Sequence, residues 1–220
     1  MSPLAGSRPL KERALRGDRK VASFDRLRTY IGARAALTPG ELDFIQALFA
    51  FRPLEKGEVL QRAGEPAQHM VFVAKGCLRS YVLDDKGKVH IVSFAPEDWW
   101  LADSGRFASG EPSALFIDAI EASDLLLIDH PSHQRILDGV PGYAAAYRVG
   151  LQRLAAAKDK RIISSLSASA LDRYLDFLAR YPTLVGRVPL RMLASYLGMT
   201  PETLSRIRRK ISTRASAGKR

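Results

Sequence analysis

Glu202, Ser205, Arg206 and Arg209 recur in the stretch GMTPETLSRIRRKI, Gly198 to Ile211. At about 100° per residue they share an arc of about 100° on one helix face. Leu204, Ile207 and Ile211 form an apolar stripe on the other side. The polar set suits the edges of DNA base pairs. Arg206 can donate two parallel hydrogen bonds to guanine O6 and N7, and Glu202 can accept from cytosine N4. Ser205 is short enough to let a backbone come close, while Arg208, Arg209 and Lys210 can hold phosphates. A solvated Glu202–Arg206 ion pair at i, i+4 is the plain alternative, worth only ~0.3 kcal/mol. The two readings are compatible. An acid on a basic surface repels phosphate, so Glu202 is easiest to justify if it reads a base.

The elements that must carry this set are legible on either side. Thr200 is a cap and Pro201 fits the first helical position, where an N–H has no intrahelical partner anyway. Upstream, VPLRMLASYLGMT predicts a helix opened by Pro189, with Leu190, Leu193, Ala194 and Leu197 facing inward. Gly198 stands where a left-handed residue ends a helix. Ala194, four residues earlier, suits a steep helix crossing that leaves room only for a small side chain. Leu204 and Ile207 close the small core. This is helix-turn-helix spacing, whose second helix enters the major groove. Arg191, Thr200 and Thr203 around the turn complete the expected DNA-facing set.

The charge agrees. The 220 residues carry a net +11, with 46% hydrophobic and 26% charged residues. From Gly186 to Arg220 there are nine Lys or Arg and one acid, Glu202, so +8 sits around this motif. Such a balance points to an anionic partner, nucleic acid before membrane. One cysteine, Cys77, excludes an internal disulfide and a Cys-ligated iron–sulfur cluster, and reads as a small buried residue. The N-terminus lacks a signal-type apolar stretch, and no apolar run approaches the ~18 residues of a membrane span. A soluble cytoplasmic protein is expected.

The rest of the chain changes texture three times. Residues 1–22 are polar and basic, and are expected to be flexible. SFDRLRTYIGARAALTPGELDFIQALFAF is helical, with a second start at Thr38-Pro39 and Glu41. From Arg52 to about Pro131, glycines punctuate short β-rich runs: EVLQRA, MVFVAKG, CLRSYVL, KVHIVSFA, ALFIDAIEA and DLLLID, with DDKG (84–87) as a hairpin turn. Many short strands indicate a sandwich or barrel. Then YAAAYRVGLQRLAAAKDKRIISSL (143–166) predicts one long helix. Its stripe of Tyr147, Leu151, Leu154 and Ile162, with Lys158 and Arg161 in the seam, needs a cover: the barrel's flank or a second copy. Ser169 and Asp172 have capping-box spacing and start another helix.

PETLSRIRRKI together with RVPLRMLASYLGMT resembles the recognition motif of the Crp/Fnr superfamily of bacterial transcription regulators. LEKGEVLQRAGEPAQHMVFVAKGCLRSYVLDDKGKVHIVSF is similar to the start of that family's cyclic-nucleotide-binding-type jelly roll, and KRIISSLSASALDRYLDFLARYP to the end of its dimer helix and the next helix. The resemblance covers about 40–211. It implies an α+β architecture: an N-terminal β jelly-roll barrel (23–141), a long dimerisation helix (142–166) and a C-terminal helix-turn-helix domain (167–220) with a basic tail. It assigns Glu202, Ser205 and Arg206 to base-contacting positions. It further implies a homodimer on double-stranded DNA, with RNA polymerase as a candidate partner and no enzymatic activity. Glu-x-x-Ser-Arg resembles the branch that reads TTGA-type half-sites.

Three departures accompany the resemblance. Nucleotide-binding members hold ribose and cyclic phosphate with a Gly-Glu-Leu and an Arg-Ser/Thr pair. Here Trp100 stands near the expected glutamate and Pro112 replaces the arginine, while Ser113 is kept; Arg106 is the one nearby cation, out of position. No cofactor is expected, and tight binding of cyclic AMP or cyclic GMP is not expected. The family's oxygen-sensing cysteine cluster is missing. The expected C-terminal wing hairpin is missing as well, with TRASAGKR as its substitute for phosphate contacts. Trp99 and Trp100 on a strand would point to opposite sides, as packing or interface residues or, with Arg106 and Ser113, as walls of an effector pocket. His69, His90, His130 and His133 do not form a convincing metal set: DHPSH reads as a loop, and solvent-facing or capping histidines are expected. A barrel enzyme with a basic appendage and a non-specific nucleic-acid binder are the alternatives.

Overall fold

A computed structural model describes residues 10–217. The strands form two four-stranded antiparallel sheets, in the orders β1-β8-β3-β6 and β2-β7-β4-β5. They are β1 (Ala50–Leu54), β2 (Val59–Gln61), β3 (His69–Lys75), β4 (Leu78–Leu83), β5 (Val89–Ala95), β6 (Trp100–Leu101), β7 (Phe116–Ala119) and β8 (Ser123–Asp129). This is a jelly-roll arrangement, and its core follows the two-residue period of a strand. Val71, Val73, Leu125 and Leu127 point between the sheets, where they meet Leu54, Leu78, Ala95, Leu101, Ile117 and Ala119. Met70, Phe72, Ala74, Leu126 and Ile128 point the other way and are covered by helices. Burial on both faces explains why MVFVA and LLLI read as continuous apolar runs.

Helix α1 (Leu10–Gly32) is part of that cover, burying Phe24, Leu27 and Ile31. This corrects the expectation for the basic N-terminal segment. From Leu10 onward it is helical, and Arg19 binds Asp124 of β8, with Nε at 2.9 Å from Oδ1. Residues 1–9 lie outside the described residues. Helix α2 (Pro39–Ala47) starts at a full capping box, Thr38 with Glu41. The next segment corrects the helical reading of 48–51: Ala50 begins strand β1, a sheet edge where Pro53 needs no ladder partner for a missing N–H.

Two short helices were not foreseen, α3 (Ser104–Ser109) and α4 (His130–Gly139). DHPSH is not a loop. Asp129 caps α4 by accepting from the Ser132 amide at 2.7 Å, and Pro131 sits in the first turn. Helix α5 (Pro141–Ser167) is the expected long helix. It is followed by α6 (Ala170–Arg180), capped by Ser169, a 3-10 turn at Pro182–Leu184, α7 (Leu190–Tyr196) and α8 (Pro201–Ala217). Helix α8 continues six residues past Ile211 to the last described residue, Ala217; residues 218–220 of the basic tail lie outside the described residues. Among the described residues no helix is long and apolar enough to cross a membrane.

Candidate nucleic-acid interface

The turn between α7 and α8 closes as a Schellman motif. Gly198 is left-handed at φ 63°, the Met199 amide donates to the Ala194 carbonyl at 3.0 Å and the Gly198 amide to Ser195 at 3.2 Å. Thr200 then caps α8, accepting from the Thr203 amide at 3.2 Å. Leu193, Ala194, Leu197 and Leu204 are buried beneath the turn together with Tyr174 and Phe177 of α6. Arg173 of α6 pins the same turn from below, donating to the Leu197 carbonyl at 3.0 Å and the Ala168 carbonyl at 2.8 Å.

That core leaves Glu202, Arg206, Arg208, Arg209 and Lys210 exposed on α8, with Thr203 and Ser205 half-exposed among them and Arg191 exposed on α7. The alternative reading, a Glu202–Arg206 ion pair, is not what the structure shows. Arg206 instead donates to Thr203 Oγ1 at 3.3 Å. The Glu202 carboxyl is held below the usual carboxylate range by its own backbone amide, the Thr200 hydroxyl and the charges of Arg191 and Arg206. It is therefore ionised and can only accept. An ionised carboxylate acceptor and a guanidinium donor thus stand one turn apart, within the first two turns of α8.

The helical unit is not loosely tethered. It is docked on the barrel through features that sequence reasoning missed. Ser195 of α7 bridges the edge of β5, donating to the Val89 carbonyl and accepting from the Ile91 amide, both at 3.1 Å. Arg187 makes a two-pronged contact with Glu97, at 2.9 and 2.8 Å, and also binds Glu121. Burial pushes the Glu97 carboxyl up, but Arg187 and the Gly76 amide outweigh it and hold it below its ordinary value. Phe94 and Trp99 meet Phe177, Tyr181 and Tyr196 across the joint, with Cys77 fully buried beside them. Burial pushes the Cys77 thiol up to about 12, as expected of a packed, inert cysteine. Arg161 also departs from expectation. It turns away from the seam to the carbonyls of Val92, Ile91 and Tyr196, with its guanidinium 4.1 Å from the Tyr196 ring centroid.

The proposed effector walls are not brought together. Trp99 stacks on Tyr181, while Trp100 packs with Phe72, Tyr30 and Phe49. Arg106 and Ser113 converge instead on Asp103, just before α3. Ser113 Oγ donates to the Asp103 carboxylate at 3.0 Å, the Ala114 amide approaches it at 3.3 Å and Arg106 at 3.6 Å. Asp103, not Trp100, is thus the structural focus of this region. The barrel interior itself is filled by aliphatic side chains.

The histidines also separate. His90 pairs with Asp84 at 2.8 Å. His133 is buried rather than solvent-facing, against Phe107, Tyr143 and Tyr147, with Nε2 unpartnered. Burial, then His130, lowers its pKa to about 4. No group of three or more metal-type ligands occurs among the described residues. On α5, Tyr147 is half-buried by His133 of its own chain, whereas Leu151, Leu154, Ile162, Ile163 and Leu166 are exposed.

Residues 51–139 match the cyclic nucleotide-binding domain family. Over 187 residues the chain is 26% identical to electron transport regulator A of Shewanella oneidensis, covering 78% of this chain and 72% of that one. It is 27% identical over 187 residues to the fumarate and nitrate reduction regulatory protein of Vibrio cholerae, with the same coverage. Both alignments extend well beyond the barrel segment. Through this domain and these relatives, the chain is similar to transcription regulators of the Crp/Fnr type. The solved structure of FixK2 from Bradyrhizobium japonicum shares the fold, at a TM-score of 0.64 and 23% identity over 76% of this chain and 86% of that one.

Proposed function

We propose that the chain is a Crp/Fnr-type regulator that acts as a homodimer and reads an inverted repeat in double-stranded DNA. Glu202, Ser205 and Arg206 face base edges, and Arg191, Thr200, Thr203, Arg208, Arg209 and Lys210 contact the backbone around them. The observation that carries the reading is the pairing of an ionised Glu202 with an unpaired-from-Glu Arg206 on the exposed early turns of a capped helix. A bare phosphate-binding surface has no use for that carboxylate.

The second copy docks along α5. A helix whose residues 148–156 are exposed all round, Leu151 and Leu154 included, cannot be the flank of its own barrel. Two-fold symmetry then matches two half-sites. The barrel serves as scaffold without a cyclic nucleotide, because Asp103 already occupies the donors of Ser113 and Ala114. On this reading, RNA polymerase is the partner whose access to a promoter the bound dimer controls.

Selection of bound duplexes from a random pool, followed by genome-wide mapping of bound sites, tests the proposal. The expected outcome is an inverted repeat of TTGA-type half-sites with centres ~10–11 base pairs apart. Recovery of unrelated sequences without a common repeat would count against it.

A further inference from the structure

The turn Pro96–Trp100 between β5 and β6 reaches in two directions with alternate residues. Glu97 and Trp99 hold the C-terminal helices, through Arg187 and through a stack on Tyr181 at 4.8 Å between ring centroids. Asp98 and Trp100 hold the N-terminal helix. Arg26 of α1 donates from Nε to Asp98 Oδ1 at 2.7 Å and from its terminal nitrogen to Oδ2 at 2.8 Å, and Trp100 meets Tyr30. Helix α1 and the DNA-binding helices are far apart in sequence, yet each grips alternate members of the same four consecutive residues.

The turn is stiff enough to carry a displacement from one grip to the other. Asp98 is the only non-glycine residue with positive φ among the described residues, at 66°. Its amide donates to the Val73 carbonyl at 3.0 Å, and the Val73 amide donates to the Trp99 carbonyl at 3.0 Å. Glu97 accepts from the Gly76 amide at 2.9 Å. With both ends pinned to β3 and the turn that follows it, Asp98 cannot move freely without disturbing Glu97 and Trp99. The Arg26–Asp98 pair lies at the surface, with both side chains nearly half-exposed, and belongs to no apolar core cluster.

We propose that helix α1 sets the position of the DNA-binding helices through this turn, with Arg26 and Asp98 as positioning residues for operator binding. The proposal rests on the reading that α8 binds DNA.

Hydrogen–deuterium exchange on the full chain tests the coupling without DNA. Asp98→Asn suits the purpose because Asn tolerates the left-handed backbone while losing the charge and one of the two acceptor oxygens; Arg26→Ala removes the other partner. Both should speed amide exchange at 187–198 as well as in α1, and Arg187→Ala should reciprocally speed exchange at 24–30, since coupling is mutual. Faster exchange confined to α1 and 96–100 overturns the proposal. The same variants should lose about fivefold or more in affinity for the selected duplex, the lower end of ordinary coupling between sites. Arg206→Ala on that duplex is the control for the DNA reading. If Arg206→Ala weakens binding while Arg26→Ala and Asp98→Asn do not, the positioning role is wrong and the α8 reading stands. If Arg206→Ala has no effect, the α8 reading fails, and exchange alone decides the coupling.

Discussion

Arg206 donates to Thr203 Oγ1 at 3.3 Å, three residues back along α8, and not to Glu202, four residues back. The distinction matters because a surface Glu–Arg pair would satisfy both side chains and leave neither to read a base. With Arg206 steadied by a neutral hydroxyl, its charge is uncompensated by a direct partner and its remaining donors are available. Glu202, exposed and held by its own amide and the Thr200 hydroxyl, has lone pairs left to accept from an amino group.

Leu151→Glu with Leu154→Glu places charges on the exposed apolar face of α5. Burying them costs several kcal/mol each, so sedimentation should report a dimer for the unmodified chain and a monomer for the double variant. A tight dimer of the double variant would assign the interface elsewhere.

Calorimetry should detect no micromolar binding of cyclic AMP or cyclic GMP. The Asp103 carboxylate already engages the Ser113 hydroxyl, the Ala114 amide and Arg106, so a phosphate there would meet an anion and donors in use, and burying a charge without compensation costs on the order of several kcal/mol. Micromolar affinity for either nucleotide would contradict the scaffold reading of the barrel.

Cys77 is fully buried under the joint between barrel and helical unit, which makes it a reporter of docking. Alkylation should be slow in the unmodified chain and at least ~10-fold faster in Arg187→Ala, because a pair broken on one side leaves Glu97 uncompensated. The pH dependence has a definite sign. The folded pKa of Glu97 is depressed, so its contribution is complete above the ordinary value of 4.5 and is lost as pH falls below it. Equal alkylation rates in the two proteins would show that the joint does not depend on Arg187.

His133 supplies a second acid-sensitive element. Its folded pKa of about 4 lies below the ordinary 6.5, so between those values the unfolded chain binds a proton that the folded chain does not. Stability should fall as pH drops from 6.5 toward 4, and His133→Leu should remove that part of the slope in thermal melts taken across this range. An unchanged slope would mean that His133 is charged or hydrated in the fold.

Much of the site was legible in the sequence because its signals are local. Thr38 with Glu41, Ser169 with Asp172, Gly198 and Thr200-Pro201 each cap or end a helix through partners two to five residues away. Asp129 and Pro131 gave the same kind of signal for α4, but the two histidines around them drew the reading toward a loop. What stayed hidden depends on residues distant in the chain. The helical state of residues 10–22 is supported by Arg19 meeting Asp124, 105 positions on. The docking of α7 depends on Ser195 finding an exposed edge of β5, and that of Arg187 on two acids 90 and 66 positions away. Asp103 was missed because a lone aspartate gains its role only when the chain returns Ser113 to it.

Binding titrations of Arg206→Ala against a panel of single-base operator variants test the central claim most directly. If Arg206 reads guanine, the substitution costs ~1–3 kcal/mol on the intact operator and relaxes discrimination at one G·C pair per half-site, leaving other positions as selective as before. Arg209→Ala should instead weaken every variant about equally and lower the salt slope by roughly one contact. A uniform loss across all variants for Arg206→Ala would make that residue a phosphate clamp and contradict the account.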